Sequence, residues 1–364
     1  MNDLENPLYS KVAALLEQAR KQVASIVNLT MVHTYFEIGK MIVEEEQQGE
    51  LRAAYGKKVL KELSFRLKER FGKGFSEQNL RNMRQFFLVY QDRADSIRQK
   101  PSSELQSFNP QLVKKQQKPS GKSSAFQLGW SHYLVLMRIE NPQERHFYEI
   151  ESAQTNWSEP QLKRQYHSSL YERLALSRDK DAVLKLAQQG HTVEKPQDIL
   201  KNPLTLDFLG LGEKISYSET DLEQGIIFKL QEFLLELGKG FLFEARQKRF
   251  TFDNEHFFVD LVFYNRLLQC YVLIDLKIEK LTHQDLGQMQ MYVNYYDRFE
   301  RQEFEKPTIG ILLCKKKNNN LVELTLPKNA NIYASEYSLY LPKKELLQQK
   351  LNEWVQELEE EKDV

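Results

Sequence analysis

The chain has 364 residues, 51 basic and 51 acidic side chains, 41% hydrophobic residues and a charged fraction of 28%. This balance fits a soluble globular protein and excludes a disordered one, and the length exceeds one typical core, so two domains are expected. Zero net charge excludes a global electrostatic field for nucleic acid, leaving local basic patches, and no run of about 18 apolar residues marks a membrane span.

The N-terminus has no basic segment leading into an apolar stretch, so no signal peptide is expected. Leu8, Val12, Leu15, Leu16, Ala19, Val23 and Ile26 recur at three-to-four spacing and predict an amphipathic helix. A second apolar stretch over residues 31–43 carries Tyr35, Phe36, Ile38, Met41 and Ile42. Residues 56–71 form a basic amphipathic helix, GKGFS makes a turn, and Ser76 is placed to cap the helix EQNLRNMRQFFLVYQ. This is the outline of a helix-turn-helix over about 56–90, although a plain helical hairpin gives the same pattern. Its second helix offers Asn79, Arg81, Asn82, Arg84 and Gln85, side chains suited to base edges and phosphates.

Residues 93–125 lose apolar periodicity, and over 96–125 they carry Arg98, Lys100, Lys114, Lys115, Lys118 and Lys122 against Glu104. They read as a mobile basic insertion, either a solvated tether or a strap across a phosphate backbone. Helices resume at Ser131 and again over 142–154 and 160–176, with Asn141 and Ser158 as cap candidates. A helical domain is thus expected over 1–189. Residues 190–213, rich in Gly, Pro and polar groups, read as a linker to a second domain at 214–364.

From Asp221 the pattern becomes helix, then strands. Leu222, Ile226, Leu230, Phe233, Leu234 and Leu237 predict a helix ended by Gly238. GFLFEARQKRFTF, HFFVDLVFY and CYVLIDLKI read as strands, followed by a helix over 284–299, the strand TIGILLC, a last strand near IYASEYSLYL and a terminal helix. Cys270 and Cys314 lie in apolar runs with no CxxC or Cys/His cluster, which argues against zinc and for a reducing, cytoplasmic compartment. The fold expected is α+β, an all-α N-terminal domain with an α/β C-terminal domain whose mixed central sheet is flanked by helices.

The chemistry concentrates between residues 257 and 292, where Asp260, Asp275 and Lys277 stand inside apolar strands that disfavour charge. A period of two puts Asp275 and Lys277 on one strand face, and a hairpin would bring Asp260 alongside Asp275. Two neighbouring carboxylates suit Mg2+ (or Mn2+), which binds through one or two carboxylates, waters and substrate phosphate. Such an ion neutralises a scissile phosphate and activates water, while Lys277 would stabilise developing negative charge. Glu223, on the preceding helix, could add an oxygen ligand, and Gln288 and Tyr292, four apart, share a helix face from which to orient the lysine, water or backbone. The ordinary alternative is a structural Asp–Lys ion pair. His256 and His283 read as surface or hydrogen-bonding residues, Tyr264 as a packing aromatic, and KKKNNN at 315–320 as a solvated loop.

The order Glu223, Asp260, Asp275-Leu276-Lys277 resembles the PD-(D/E)XK nuclease superfamily, and Gln288 to Tyr292 resembles its QxxxY extension. More closely, FLLELGKGFLFEARQKRF, DLVFYNRLLQCYVLIDLKI and GQMQMYVNYYD resemble the YhcG family of bacterial proteins, as do TYFEIGKMIVE and WSHYLVLMRIENPQERHFYEIESAQTNWSEPQLKRQ in the N-terminal half. The resemblance implies a helix-turn-helix-like domain joined to a restriction-endonuclease-like nuclease domain. It makes Asp260 and Asp275 metal ligands, Lys277 the catalytic lysine and Gln288 and Tyr292 auxiliary. It points to Glu223 as the helix acid, with Glu232 and Glu236 as alternatives on the same helix. Two departures are Asp275, where the family usually has Glu, and Val259 before Asp260, where the superfamily's name has Pro. The expected function is a magnesium-dependent nuclease acting on nucleic acid, DNA favoured, positioned by the helical domain. The alternatives are an idle nucleic-acid-binding or scaffold protein, and a nuclease component of a defence or toxin system that needs a partner. The spacing of LLQQKLNEWVQELEE suits an interaction helix, for a homo-oligomer or a partner protein.

Overall fold

The computed structural model describes residues 7–48, 53–93, 125–176, 180–201, 203–213, 216–316, 319–327, 330–349 and 351–352. Most of the basic insertion at 93–125 and of the expected terminal interaction helix lies outside them. Two compact units divide the chain, residues 1–145 and 146–364.

In the first unit α1 (Pro7–Gln48) runs unbroken through both apolar stretches. The NLT segment between them holds no Gly or Pro, and Thr30 and Thr34 return their hydroxyls to the carbonyls of Ile26 and Thr30 at 2.8 and 2.9 Å. Leu15, Leu16, Val23 and Ile26 stay exposed, and the core begins at Val32 and Phe36. After α2 (Ala53–Phe71), a tight turn leads into α3 (Glu77–Tyr90), where the Ser76 hydroxyl accepts the Asn79 N–H at 3.2 Å as expected for an N-cap. Helix α3 buries Leu80, Met83 and Phe86 and crosses α1 at Gly39, where a Cβ would fall 2.0 Å from the Met83 carbonyl oxygen. Helix α4 (Trp130–Leu136) adds Tyr133 to a ring cluster of Phe36, Phe86 and Phe126.

The helices α5 (Pro142–Thr155), α6 (Glu159–His167), α7 (Leu170–Ala175) and α8 (Lys180–Gln189) follow. The single helix expected over 160–176 breaks because Ser169 takes a left-handed conformation, φ +52°. Beyond them lie β1 (Leu204–Thr205), α9 (Glu219–Phe228), α10 (Leu230–Leu237), β2 (Phe241–Phe252), β3 (Glu255–Asn265), β4 (Cys270–Lys280), α11 (His283–Tyr295), β5 (Ile309–Lys316), α12 (Asn319–Thr325) and β6 (Ile332–Ser338). The helix expected to run from 221 to 237 is two helices, divided at Lys229.

The strands form one mixed sheet in the order β1-β6-β5-β4-β3-β2. β2, β3 and β4 are antiparallel neighbours, whereas β4, β5, β6 and β1 pair in parallel. Each face carries its own core. Leu222, Ile226, Phe233 and Leu237 of α9 and α10 pack on Leu261, Phe263, Ile274 and Leu276, and Leu286, Met289 and Val293 of α11 pack with Leu273 and Leu312. The architecture is therefore α+β, with a helical N-terminal region and a mixed sheet flanked by helices.

The compact units divide earlier than the composition change at 190–213. That stretch contributes β1 and the buried side chains of Ile199, Leu204, Leu206 and Leu211 to the second unit's core. Helices α6 and α7 are tied to the same unit by charge. Glu236 of α10, wholly buried, meets Arg173 at 2.5 Å and Arg164 at 2.9 Å and accepts the Thr205 N–H at 3.0 Å. Burial alone would push its carboxyl up, but Arg173, Lys201 and Arg164 hold it down at about 2.

Candidate active site

The hairpin of β2 and β3 closes through Asp253 and Asn254, both with positive φ, the geometry of a two-residue turn that fixes register. Counting back, Arg246 faces Leu261 and Lys248 faces Val259, so Gln247 lies across from Asp260. On the other side the β3–β4 ladder runs to Leu261 and Ile274, which sets Asp260 across from Asp275. Gln247, Asp260 and Asp275 thus stand in one row over three strands. The expected approach of Asp260 to Asp275 follows from this register.

Asp260 is tethered by two donors, the Leu276 N–H at 2.8 Å on Oδ2 and the Gln247 amide at 2.9 Å on Oδ1. Asp275 is only 3% exposed, and its Oδ2 lies 2.8 Å from Lys277 Nζ as an ion pair with no well-directed hydrogen bond. Burial, reinforced by the charge of Asp260, raises the Asp275 carboxyl to about 7, although Lys277 pulls the other way. For Lys277 burial acts downward, but Asp275, Glu219 and Asp285 outweigh it and the ammonium is held above its ordinary value.

Glu223 of α9 enters from the helix over the opposite face. It is 6% exposed, its Oε2 accepts the same Gln247 amide at 2.7 Å, and its Oε1 lies 3.2 Å from Arg246 Nε. Among the three candidate helix acids only Glu223 reaches Asp260 through a shared partner. Glu232 lies half-buried 3.9 Å from Lys229, and Glu236 belongs to the buried arginine cluster. Glu219, one turn before Glu223, escaped the sequence reading. It accepts the Ile278 N–H at 3.4 Å, and its charge acts on both Asp275 and Lys277.

Helix α11 starts at a capping box in which Asp285 accepts the Thr282 N–H at 2.8 Å, and Asp285 Oδ1 lies 3.9 Å from Lys277 Nζ. A Cβ at Gly310 would fall 2.7 Å from the Met289 side chain, so this glycine lets α11 lie close on β5. Gln288 donates its amide to the Tyr292 hydroxyl, as the four-residue spacing allows. The Tyr292 ring is buried edge-on to Phe250 at 5.5 Å. Burial pushes its hydroxyl up; Asp275 and Asp260 add to this, while Gln288 and Lys277 oppose it.

His256 is bound at the hairpin tip to Thr251 and Arg249, His283 is exposed, and Tyr264 packs on Tyr271 at 5.5 Å. In the first unit Asn79 is committed to the Gly74 carbonyl at 2.6 Å and to Trp130 Nε1 at 3.1 Å. Arg84 pairs with Glu46 at 2.5 Å, Arg81 lies 3.3 Å from Glu77, and Asn82 accepts from Gln78 at 3.1 Å. Arg81 and Gln85 are exposed one turn apart with Asn82 beside them.

Asp275 Oδ2 and Glu223 Oε1 are buried oxygens that receive no hydrogen bond, each set against a cationic side chain. Among the described residues no three His, Cys, Asp or Glu side chains converge tightly enough to hold a metal by themselves. Such a pairwise, oxygen-only set fits a hard divalent ion that keeps part of its water shell. No helix among the described residues is long and apolar enough to cross a membrane.

A family model described as the YhcG PDDEXK nuclease domain matches residues 197–352, and one described as the DUF1016 N-terminal domain matches residues 11–173. The Escherichia coli (strain K12) protein named "Putative nuclease YhcG" is 39% identical over 351 residues, covering 94% of this chain and 92% of its own length. Among solved structures, a repair endonuclease from Pyrococcus abyssi aligns over 36% of this chain and 50% of its own, at 19% identity and TM-score 0.24. The EndoMS–dsDNA2 complex aligns over 36% of this chain and 48% of its own, at 18% identity and TM-score 0.25.

Proposed function

This chain belongs to the YhcG family of PDDEXK nuclease-domain proteins, and from that premise we propose that it is a divalent-metal-dependent nuclease hydrolysing DNA phosphodiester bonds at Asp260, Asp275 and Lys277. The observation that carries the reading is the β3–β4 register, which runs to Leu261 and Ile274 and leads into Asp260 and the buried Asp275, with Lys277 ion-paired to Asp275. Perturbed carboxylates of this kind concentrate at functional sites.

Asp260, Asp275 and Glu223 would hold the ion. Mg2+ or Mn2+, when bound, supplies charge neutralisation at the phosphate and a more acidic water. Lys277 presents its ammonium beside Asp275, where it stabilises negative charge developing on the phosphate oxygens. Asp275, and after it Glu219 and Asp285, strengthen that lysine's hold on its proton. Gln288 and Tyr292 fix the helix side of the site, the hydroxyl held by the amide. The first unit positions DNA through the exposed Arg81 and Gln85 with Asn82, while Asn79 and Arg84 hold the α3 surface in shape. Cys270 and Cys314, both buried and held in no disulfide, suit a cytoplasmic setting.

The test is cleavage of labelled single- and double-stranded DNA and of matching RNA, with Mg2+, Mn2+ or chelator. Metal-dependent DNA cleavage that Asp260→Ala abolishes is the expected result. Equal cleavage by the wild type and this variant overturns the assignment, and DNA binding without cleavage under any metal would make the domain an idle scaffold.

A further inference from the structure

Gln247 lies in the interior of β2, between Arg246 and Lys248 that keep their cross-strand partners, yet its φ is +45°. A side chain bearing a Cβ seldom adopts this left-handed backbone, and strain of this kind persists where the surroundings enforce it. What it achieves is visible in the contacts. The Gln247 amide nitrogen donates to Glu223 Oε2 at 2.7 Å and to Asp260 Oδ1 at 2.9 Å, joining a helix carboxylate to a strand carboxylate. A neutral group with two polarised hydrogens between two anions takes the place that a cation would take.

Resting on the metal-dependent reading above, we propose that Gln247 is a positioning residue of the metal site, holding Glu223 and Asp260 facing one another before the ion arrives. An N–H dipole does not stay aimed at a bound cation. Rotation of the amide about its last torsion would exchange Nε2 and Oε1 in nearly the same volume, so that Gln247 would turn a neutral oxygen toward a bound cation. The left-handed backbone is what aims β2's side chain at both carboxylates at once.

The test is Mn2+ titration of the full chain by calorimetry without nucleic acid, alongside thermal melts in chelator. Gln247→Gly accepts the positive φ without strain, so it removes the amide while sparing the backbone. It is expected to weaken Mn2+ binding about 10-fold, the scale of lost outer-shell support, without lowering the melting temperature in chelator. Gln247→Glu keeps an oxygen at that position and is expected to bind Mn2+ at least as tightly as the wild type. Wild-type affinity in Gln247→Gly, or Gln247→Glu as weak as the glycine variant, overturns the role of Gln247 and leaves the metal reading standing. A wild type that binds no Mn2+ overturns both.

Discussion

Asp275→Asn should make the metal-free protein more stable while removing its activity. Asp275 is 3% exposed, its carboxyl is raised from 3.8 to about 7, and the causes are burial and the neighbouring Asp260. Below the unfolded value both states hold the proton and nothing is lost. As pH rises from about 4 to about 7 the unfolded chain releases its proton and the folded chain retains it, so stability falls. Above about 7 the loss is constant, at most about 4 kcal/mol for a shift of this size. Asparagine has no such titration. The substitution leaves Lys277 without its closest carboxylate, but Asp285 lies 3.9 Å away and the lysine side chain is partly exposed, which limits that penalty. The net gain expected at pH 8 in chelator is on the order of 1–3 kcal/mol, shrinking toward zero near pH 4. Urea unfolding in chelator across that range reads it directly. A variant less stable than the wild type at pH 8, or a gain independent of pH, would refute the electrostatic account of the site.

Glu236→Gln should lose roughly 3–5 kcal/mol in urea unfolding, because Arg173 would stay buried without its counter-charge. Since that carboxyl is held at about 2, its stabilisation is full above about pH 4.5 and disappears as pH falls toward 2, so the gap between wild type and variant should narrow on acidification. Tyr292→Phe keeps the ring against Phe250 and should cut the cleavage rate about 10-fold or more with little change in melting temperature; an unchanged rate would remove the hydroxyl from the site. Arg81→Ala should weaken DNA binding and flatten its salt slope by about 1 without changing stability, and binding titrations at several salt concentrations would expose a first unit that does not meet DNA.

The site was legible where local periodicity determines geometry. A period of two put Asp275 and Lys277 on one face of β4, four-residue spacing joined Gln288 to Tyr292, and Ser76 announced the start of α3. What stayed hidden depends on long-range contacts. Nothing local separates Glu223 from Glu236; burial beside Arg164 and Arg173, which come from helices more than sixty residues earlier, gives Glu236 to the scaffold. The same ion pairs draw helices of the expected N-terminal domain into the second unit. Gln247 had a signal that could have been used, since counting pairs from the Asp253–Asn254 turn sets it across from Asp260. Its left-handed φ had none, because nothing in a strand's alternation announces a positive φ at a residue that carries a Cβ.

This carboxylate–lysine row is proposed to cleave DNA. Single-turnover cleavage by Lys277→Met, which keeps the length of the apolar stem, tests it most directly when Mn2+ binding is measured on the same preparation. A loss of roughly 100- to 1000-fold in rate, with the ion still bound, is the expected result. Cleavage within about twofold of the wild type would contradict it.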